Sequence, residues 1–244
     1  MLKEIYNHIH KKTIKISVMT IKEKEQELWT SLRKLLNVFV EDGVVDEEKY
    51  LSSPIKILYI LKEPNDGGNT EEDKKWSLSE FIYDGARSQT WDNVARWTEG
   101  IFNLDKHLRW SDLIQNDTER RQHFLKYVCA INIKKSGGGY VVNSNEVTET
   151  ANFCKSITME QIELDNANVI ICCWKEVNEF MMTNYSHNIR TTSNGINYMY
   201  DENHNRLIIF YVHPEARISD NLMYYPLIDG IKEMMAIHEI TFQR

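Results

Sequence analysis

The sequence is poor in the residues that build metal clusters and disulfide scaffolds. It has only 4 cysteines in 244 residues, at Cys129, Cys154, Cys172 and Cys173. No two of them have the C-x-x-C spacing typical of zinc and redox motifs. Three lie in or beside apolar runs such as NVIICCW, so we expect buried, reduced thiols. The sequence therefore implies no metal and no cofactor.

Glycine, proline and long apolar runs are also scarce. The chain has 10 glycines and 4 prolines, and no internal repeat or flexible linker interrupts it. No apolar run reaches the roughly 18–20 residues that span a bilayer, and the N-terminus lacks the apolar stretch of a secretory signal. We therefore expect a cytoplasmic protein with no membrane partner. At about 100–200 residues per domain, the length predicts one domain over residues 21–244 after a basic N-terminal arm over residues 1–20.

The chain also has no excess of positive charge. Its 29 lysines and arginines face 36 acidic residues, which gives a formal net charge of −7. This balance argues against non-specific electrostatic binding of nucleic acid, because most of that affinity comes from positive side chains that neutralise phosphates. The expected partners are DNA, held weakly through a local patch, or a nucleobase or nucleotide. The oligomeric state stays open.

What the sequence does contain is four short segments that are apolar on both faces. They are residues 55–61, 127–133, 169–174 and 207–212. Such strands are typical of a parallel sheet covered by helices on both sides. Helix-compatible stretches separate them, around residues 92–104, 117–126, 146–164 and 175–185, and a last one follows around 222–238.

The pattern predicts an α/β fold, a three-layer α/β/α sandwich with a short, mainly parallel four-stranded sheet. Apolar residues at helical spacing predict an additional N-terminal helix over residues 21–39. Turn residues in 186–206 predict a hairpin before the last strand.

Polar residues follow the predicted strands. Ligands of such sheets bind outside the carboxyl ends of the strands, so these residues are expected to line one cleft. The residues in question are Glu63, Pro64 and Asn65 after the first strand, Asn132, Lys134, Lys135, Ser136 and Gly137 at and after the second, and His213, Pro214 and Arg217 after the fourth.

The order Glu63-Pro64, Asn132, NVIICCW and His213-Pro214 resembles the uracil-DNA glycosylase superfamily over roughly residues 55–235. The resemblance implies hydrolysis of an N-glycosidic bond of a damaged base in DNA or in a nucleotide. Glu63 corresponds to the residue that positions water and opposes positive charge on the sugar. His213 corresponds to the donor to the departing base. No iron–sulphur cysteine set accompanies the pattern.

The resemblance also implies base-binding residues. Asn132 corresponds to the amide that reads the base edge, and Trp76 to an aromatic residue that stacks on the base. Pro64 and Asn65 complete this group. Each residue also has a structural interpretation: Asn132 as a turn cap, and Trp76 as packing between loop and core.

A phosphate-binding group is predicted from charge and glycine content. Lys134 and Lys135 precede Ser136 and Gly137 in a glycine-rich loop, whose backbone N–H groups can approach an anion closely. Arg217 supplies a further cation. The alternative is a loop without a ligand.

Two other functions remain as hypotheses. The first is a non-catalytic nucleic-acid or nucleotide binding module that keeps the fold; it is favoured by the acidic net charge and by Glu215, which stands where the family has serine. The second is an unrelated nucleotide-binding oxidoreductase. It is disfavoured because no G-x-G-x-x-G follows the first strand.

Overall fold

The computed structural model describes residues 19–34, 36, 39–65, 76–138 and 143–242. Over these residues the chain forms seven β-strands and ten α-helices. The strands are β1 Gly43–Val44, β2 Ile57–Leu61, β3 Val128–Asn132, β4 Val169–Cys173, β5 Ile189–Thr191, β6 Asn197–Asp201 and β7 Arg206–Tyr211. The helices are α1 Ile21–Leu32, α2 Glu47–Leu51, α3 Leu78–Tyr83, α4 Thr90–Phe102, α5 Trp110–Leu113, α6 Asp117–Phe124, α7 Ser144–Phe153, α8 Lys155–Asp165, α9 Lys175–Asn184 and α10 Asp220–Ile237.

The strands form one mixed sheet in the order β1-β3-β2-β4-β7-β6-β5. The four central strands β3, β2, β4 and β7 are parallel and coincide with the four predicted strands. The α/β class is therefore confirmed, but the sheet has seven strands and not the predicted four. The hairpin β5–β6 joins the sheet antiparallel to β7, and the two-residue β1 pairs antiparallel with β3. A strand of two residues is too short for a periodicity to reveal it.

The continuous apolar runs arise because both faces of the sheet are covered. Along β2, the side chains of Ile57, Tyr59 and Leu61 enter one core, which contains α4 and α10. Those of Leu58 and Ile60 enter the opposite core, which contains α7, α8 and α9. Every residue of β2 is buried. A strand with two buried faces has no polar alternation.

The helices differ from prediction mainly at their ends. Helix α1 begins at Ile21, where Thr20 and Glu23 form a capping box, and it ends at Leu32 rather than at residue 39. The helix predicted over 146–164 is two helices that meet at Cys154.

The predicted N-terminal arm lies, up to residue 18, outside the described residues. Among the helices described, none combines the length and the apolar character needed to cross a bilayer.

A buried polar network fixes the chain at the end of β3. The Lys135 ammonium is fully buried and lies 2.9 Å from one carboxylate oxygen of Asp42. Gln161 on α8 accepts from Lys135 at 2.7 Å and donates to Asp42. The second Asp42 oxygen accepts the backbone N–H of Asn132 at 2.7 Å. The network therefore positions the backbone of Asn132.

A second buried group lies beside this network. Glu25, Cys129 and Asp165 are buried, and their potential ligand atoms lie within 4.8 Å of one another. Burial, and then the neighbouring Asp165, raise the pKa of Glu25 to about 9. Burial likewise raises the pKa of Asp165 above its ordinary value. Burial, together with the repulsion between the two carboxylates, therefore keeps Glu25 protonated at neutral pH.

We predict that the free energy of unfolding falls as the pH rises from 5 to 9. The folded state holds a proton on Glu25 that the unfolded state has already released above its ordinary pKa, so the stabilisation is lost as the pH approaches about 9. Each pH unit in this window removes up to about 1.4 kcal/mol, so the loss is on the order of 5 kcal/mol at most. Glu25→Gln, which mimics the protonated acid, should flatten this dependence in urea unfolding. An unchanged pH slope would contradict the assignment.

Candidate functional site

The polar residues meet at one edge of the sheet. From β2 the chain passes to β3 on one side and afterwards to β4 and β7 on the other, so the boundary between β2 and β4 is the topological switch point. Leu61 pairs with Asn132, and Cys173 pairs with Tyr211. The four parallel strands therefore end at the same level. We call these strand ends and the residues that directly follow them the carboxyl edge, where ligands of such sheets bind.

Asn132 ends β3 with an unpaired side chain. The residue is 1% exposed, and neither amide atom has a hydrogen-bond partner among the described residues. A buried polar group without a partner costs about 1–3 kcal/mol. The amide offers one acceptor oxygen and two N–H donors. Of the two interpretations, the turn cap is not supported, because a capping amide would be hydrogen-bonded.

Glu63 is held from two sides. Its Oε2 lies 2.9 Å from the Lys134 ammonium, which also lies 2.7 Å from Glu146. A Cβ added to Gly138 would lie 2.5 Å from the same Oε2, so only glycine leaves room for the carboxylate. The other oxygen, Oε1, is buried and has no partner among the described residues. Two carboxylates and one ammonium leave one net negative charge beside this free oxygen.

His213 is neutral and its tautomer is fixed. The backbone N–H of Glu215 donates to His213 Nδ1 at 3.1 Å, which leaves the ring proton on Nε2. Burial, and then the charge of Lys62, lower the pKa of His213 to about 4, against the opposing effect of Glu215. At neutral pH the ring is thus a neutral donor through Nε2.

A buried network holds the loop that carries His213. Asn93 on α4 donates to the Pro214 carbonyl oxygen at 2.8 Å and to Asp220 at 3.0 Å. Arg96, one turn later on α4, bonds Asp220 at 3.0 Å and Asn93 at 3.1 Å. Arg96 is 5% exposed, so the network is largely shielded from solvent. The Pro214 position therefore does not depend on a ligand.

Trp174 is a residue of the carboxyl edge that the sequence analysis did not assign to the site. It follows β4 directly, and its ring lies 6.0 Å from the His213 ring at nearly a right angle. The Lys62 ammonium lies 5.5 Å from the centre of the indole. The only signal in the sequence was the apolar third strand running into a tryptophan.

The predicted phosphate-binding group is not assembled as expected. Lys135 has no exposed surface, so its assignment to a phosphate was wrong; burial in an ion pair with Asp42 explains the lysine instead. The Lys134 side chain is 4% exposed and its ammonium bonds Glu63 and Glu146, which raise its pKa although burial opposes them. Lys134 is thus a partner of Glu63 and not a free cation.

The rest of the glycine-rich loop packs against the loop after β2. The Gly138 N–H donates to the Pro64 carbonyl oxygen at 2.8 Å, and Gly138 forms a bridge with Asn65. Ser136 and Gly137 precede this bridge and are half-buried. The backbone N–H of Gly138 is therefore used within the protein, which leaves the predicted cradle incomplete.

Two predicted residues lie outside this set of contacts. Trp76 is half-buried and packs against the core and Phe81, whose ring centre is 5.7 Å away. This contact fits the packing interpretation of Trp76. Arg217 is exposed four residues after His213. Its role as a phosphate contact stays a prediction.

Comparison of the chain with models of known families gives no match, and no curated protein is significantly similar to it.

The protonation state of His213 can be measured directly. We predict that the His213 ring shows the Nε2–H tautomer in ¹⁵N NMR and does not titrate between pH 5 and 8, because burial and Lys62 lower its pKa to about 4. His213→Gln identifies the signal, and an added histidine-containing model peptide, with a pKa near 6.5, serves as internal reference. Titration of the His213 signal together with the reference would contradict the assignment.

Proposed function

We propose that the protein is a uracil-DNA glycosylase-like hydrolase that cleaves the N-glycosidic bond of a base in DNA or in a nucleotide. The observation that carries the proposal is the buried amide of Asn132, which has no hydrogen-bond partner among the described residues. A nucleobase edge with a carbonyl and an adjacent N–H matches such an amide in both its donor and its acceptor. Binding would recover the free energy that the unpaired amide costs the folded protein.

Glu63 supplies the charge that the reaction needs. The C1′–N bond breaks with its electron pair leaving on the base, and the sugar becomes cationic. The free Oε1 of Glu63 can accept from the attacking water, while the net negative charge shared by Glu63, Lys134 and Glu146 opposes the charge on the sugar. Water oxygen bonds to C1′ and its proton passes to the carboxylate and then to solvent.

His213 supplies the complementary donor. Its neutral Nε2–H can donate to a carbonyl oxygen of the departing base as negative charge accumulates there. Because the ring is already neutral at pH 7, no deprotonation step precedes binding. A donor of this kind acts mainly in the transition state, so its loss lowers the rate more than the affinity.

The second candidate function is a binding module without catalysis. It is favoured by the placement of Lys135, which removes one of the three cations expected to hold phosphates. Lys134 is neutralised by two carboxylates, and the exposed Glu215 repels a phosphodiester. These charges favour a single nucleotide or a single-stranded substrate over duplex DNA, because each lost phosphate contact weakens the electrostatic grip.

A cleavage screen tests the proposal. Oligonucleotides that carry one altered base each, single- and double-stranded, are incubated with the protein at low salt. We expect the parent to cleave one of them, and His213→Ala, which removes the donor, to be slower by roughly 100–1,000-fold with nearly unchanged affinity. Glu63→Gln should also slow single-turnover cleavage, because it removes the negative charge at constant size.

Surface substitutions are the matched controls. Glu119→Gln and His123→Ala make the same chemical changes at exposed positions of α6 and should leave the rate unchanged. If the parent binds bases but cleaves no oligonucleotide, the binding module replaces the hydrolase. If Glu63→Gln cleaves as fast as the parent, Glu63 does not stabilise the charge on the sugar.

A further inference from the structure

The backbone of Trp174 is strained. Its φ of 117° and ψ of 162° lie in a region that is essentially restricted to glycine. Residues held in this region carry backbone strain, and they cluster at ligand sites. Two backbone hydrogen bonds hold Trp174 in this conformation. Its N–H donates to the Tyr211 carbonyl oxygen at 3.2 Å, and its carbonyl oxygen accepts the backbone N–H of Asn178 at 3.0 Å. Glycine could adopt this conformation without strain. The presence of tryptophan here therefore indicates a role for the indole side chain.

The indole is only partly covered by the protein. Trp174 is 39% exposed, whereas Trp29 and Trp97 are almost completely buried. The Lys62 ammonium lies near one face of the indole, and the His213 ring stands nearly perpendicular to it. The exposed part of the indole is a flat aromatic surface at the topological switch point, and the indole contacts the His213 ring directly.

Lys62 is a cation of the carboxyl edge that a ligand can use. Within the described ranges no carboxylate lies within 4.0 Å of its ammonium, whereas Lys134 and Lys135 are both ion-paired. Lys62 directly follows β2 and is half-buried. It also lies close enough to His213 to lower the pKa of that ring. A flexible ammonium in this position can turn from the indole to an oxygen of a bound ring.

We propose that Trp174 and Lys62 form the subsite for the planar ring of the ligand, and that this subsite selects rings that carry or readily accept negative charge. The ring stacks on the open part of the Trp174 indole, and Lys62 faces a ring oxygen. This inference rests on the proposed function, because it takes the ligand to be a nucleobase. It assigns the stacking role to Trp174, in place of Trp76, whose ring packs against Phe81.

Binding of free bases tests the subsite without cleavage. The probes are uracil, 5-fluorouracil and 5-nitrouracil, which have the same shape at the ring and increasing acidity, titrated by calorimetry at one pH. We expect the affinity of the parent to rise along this series. Trp174→Leu should weaken all three probes at least fivefold, because base–aromatic stacking contributes about 1–3 kcal/mol. Trp174→Phe should stay within about threefold of the parent, because it keeps an aromatic face.

The lysine is tested by selectivity. Lys62→Met should remove the increase of affinity with acidity, and Lys62→Arg should retain it. Phe153→Leu and Lys155→Met change an exposed aromatic and an exposed cation elsewhere and should bind like the parent. Thermal unfolding of each variant shows that it is folded.

The outcomes separate the subsite from the hydrolase. Graded binding that depends on Trp174 and Lys62, without cleavage of any oligonucleotide, supports the subsite and contradicts the hydrolase. Cleavage by Trp174→Leu and Lys62→Met at the parental rate, with parental affinity for the bases, overturns the subsite and leaves the hydrolase standing. Absence of binding of all three probes to the parent also overturns the subsite.

Discussion

The buried ion pair between Asp42 and Lys135 is the interaction on which the geometry of the carboxyl edge depends. Neither side chain has any exposed surface. Removal of one partner would therefore leave an uncompensated charge in the interior, at a cost of about 3–5 kcal/mol. Asp42 also accepts the N–H of Asn132, and Gln161 ties the pair to α8. Lys134 lies in the chain between Asn132 and Lys135, and Asp42 bonds both of these residues. The ion pair between Asp42 and Lys135 therefore also positions Lys134 beside Glu63.

At the carboxyl edge, a bonded polar network lies beside buried polar atoms that have no partner among the described residues. Asp42, Lys135 and Gln161 are buried and mutually bonded. Both amide atoms of Asn132 and Oε1 of Glu63 are buried without partners among the described residues. In the proposed function, these atoms are the ones that contact the base edge and the attacking water. In the proposed subsite, binding of the planar ring to Trp174 offsets the cost of its strained backbone.

The sequence predicted the centre of the fold because a strand covered on both faces has an unmistakable apolar pattern, as in β2 and β4. It also placed Glu63, Asn132 and His213 at one edge, since the carboxyl ends of parallel strands meet there. It did not reveal that Lys135 is structural, because the partner that buries it is 93 residues away in the chain. Nor could it reveal Trp174, because no pattern of residue types indicates a tryptophan with a positive φ.

The most direct test of the account is the side-chain amide of Asn132. Its two N–H signals can be followed by ¹⁵N NMR while uracil is added to the protein, with the assignment made from Asn132→Asp. The account predicts that these signals shift downfield together with the Nε2–H signal of His213, because one base edge bonds to both residues. Uracil binding that shifts other signals but leaves the Asn132 amide unchanged would contradict it, since the unpaired amide would then have no role in recognition.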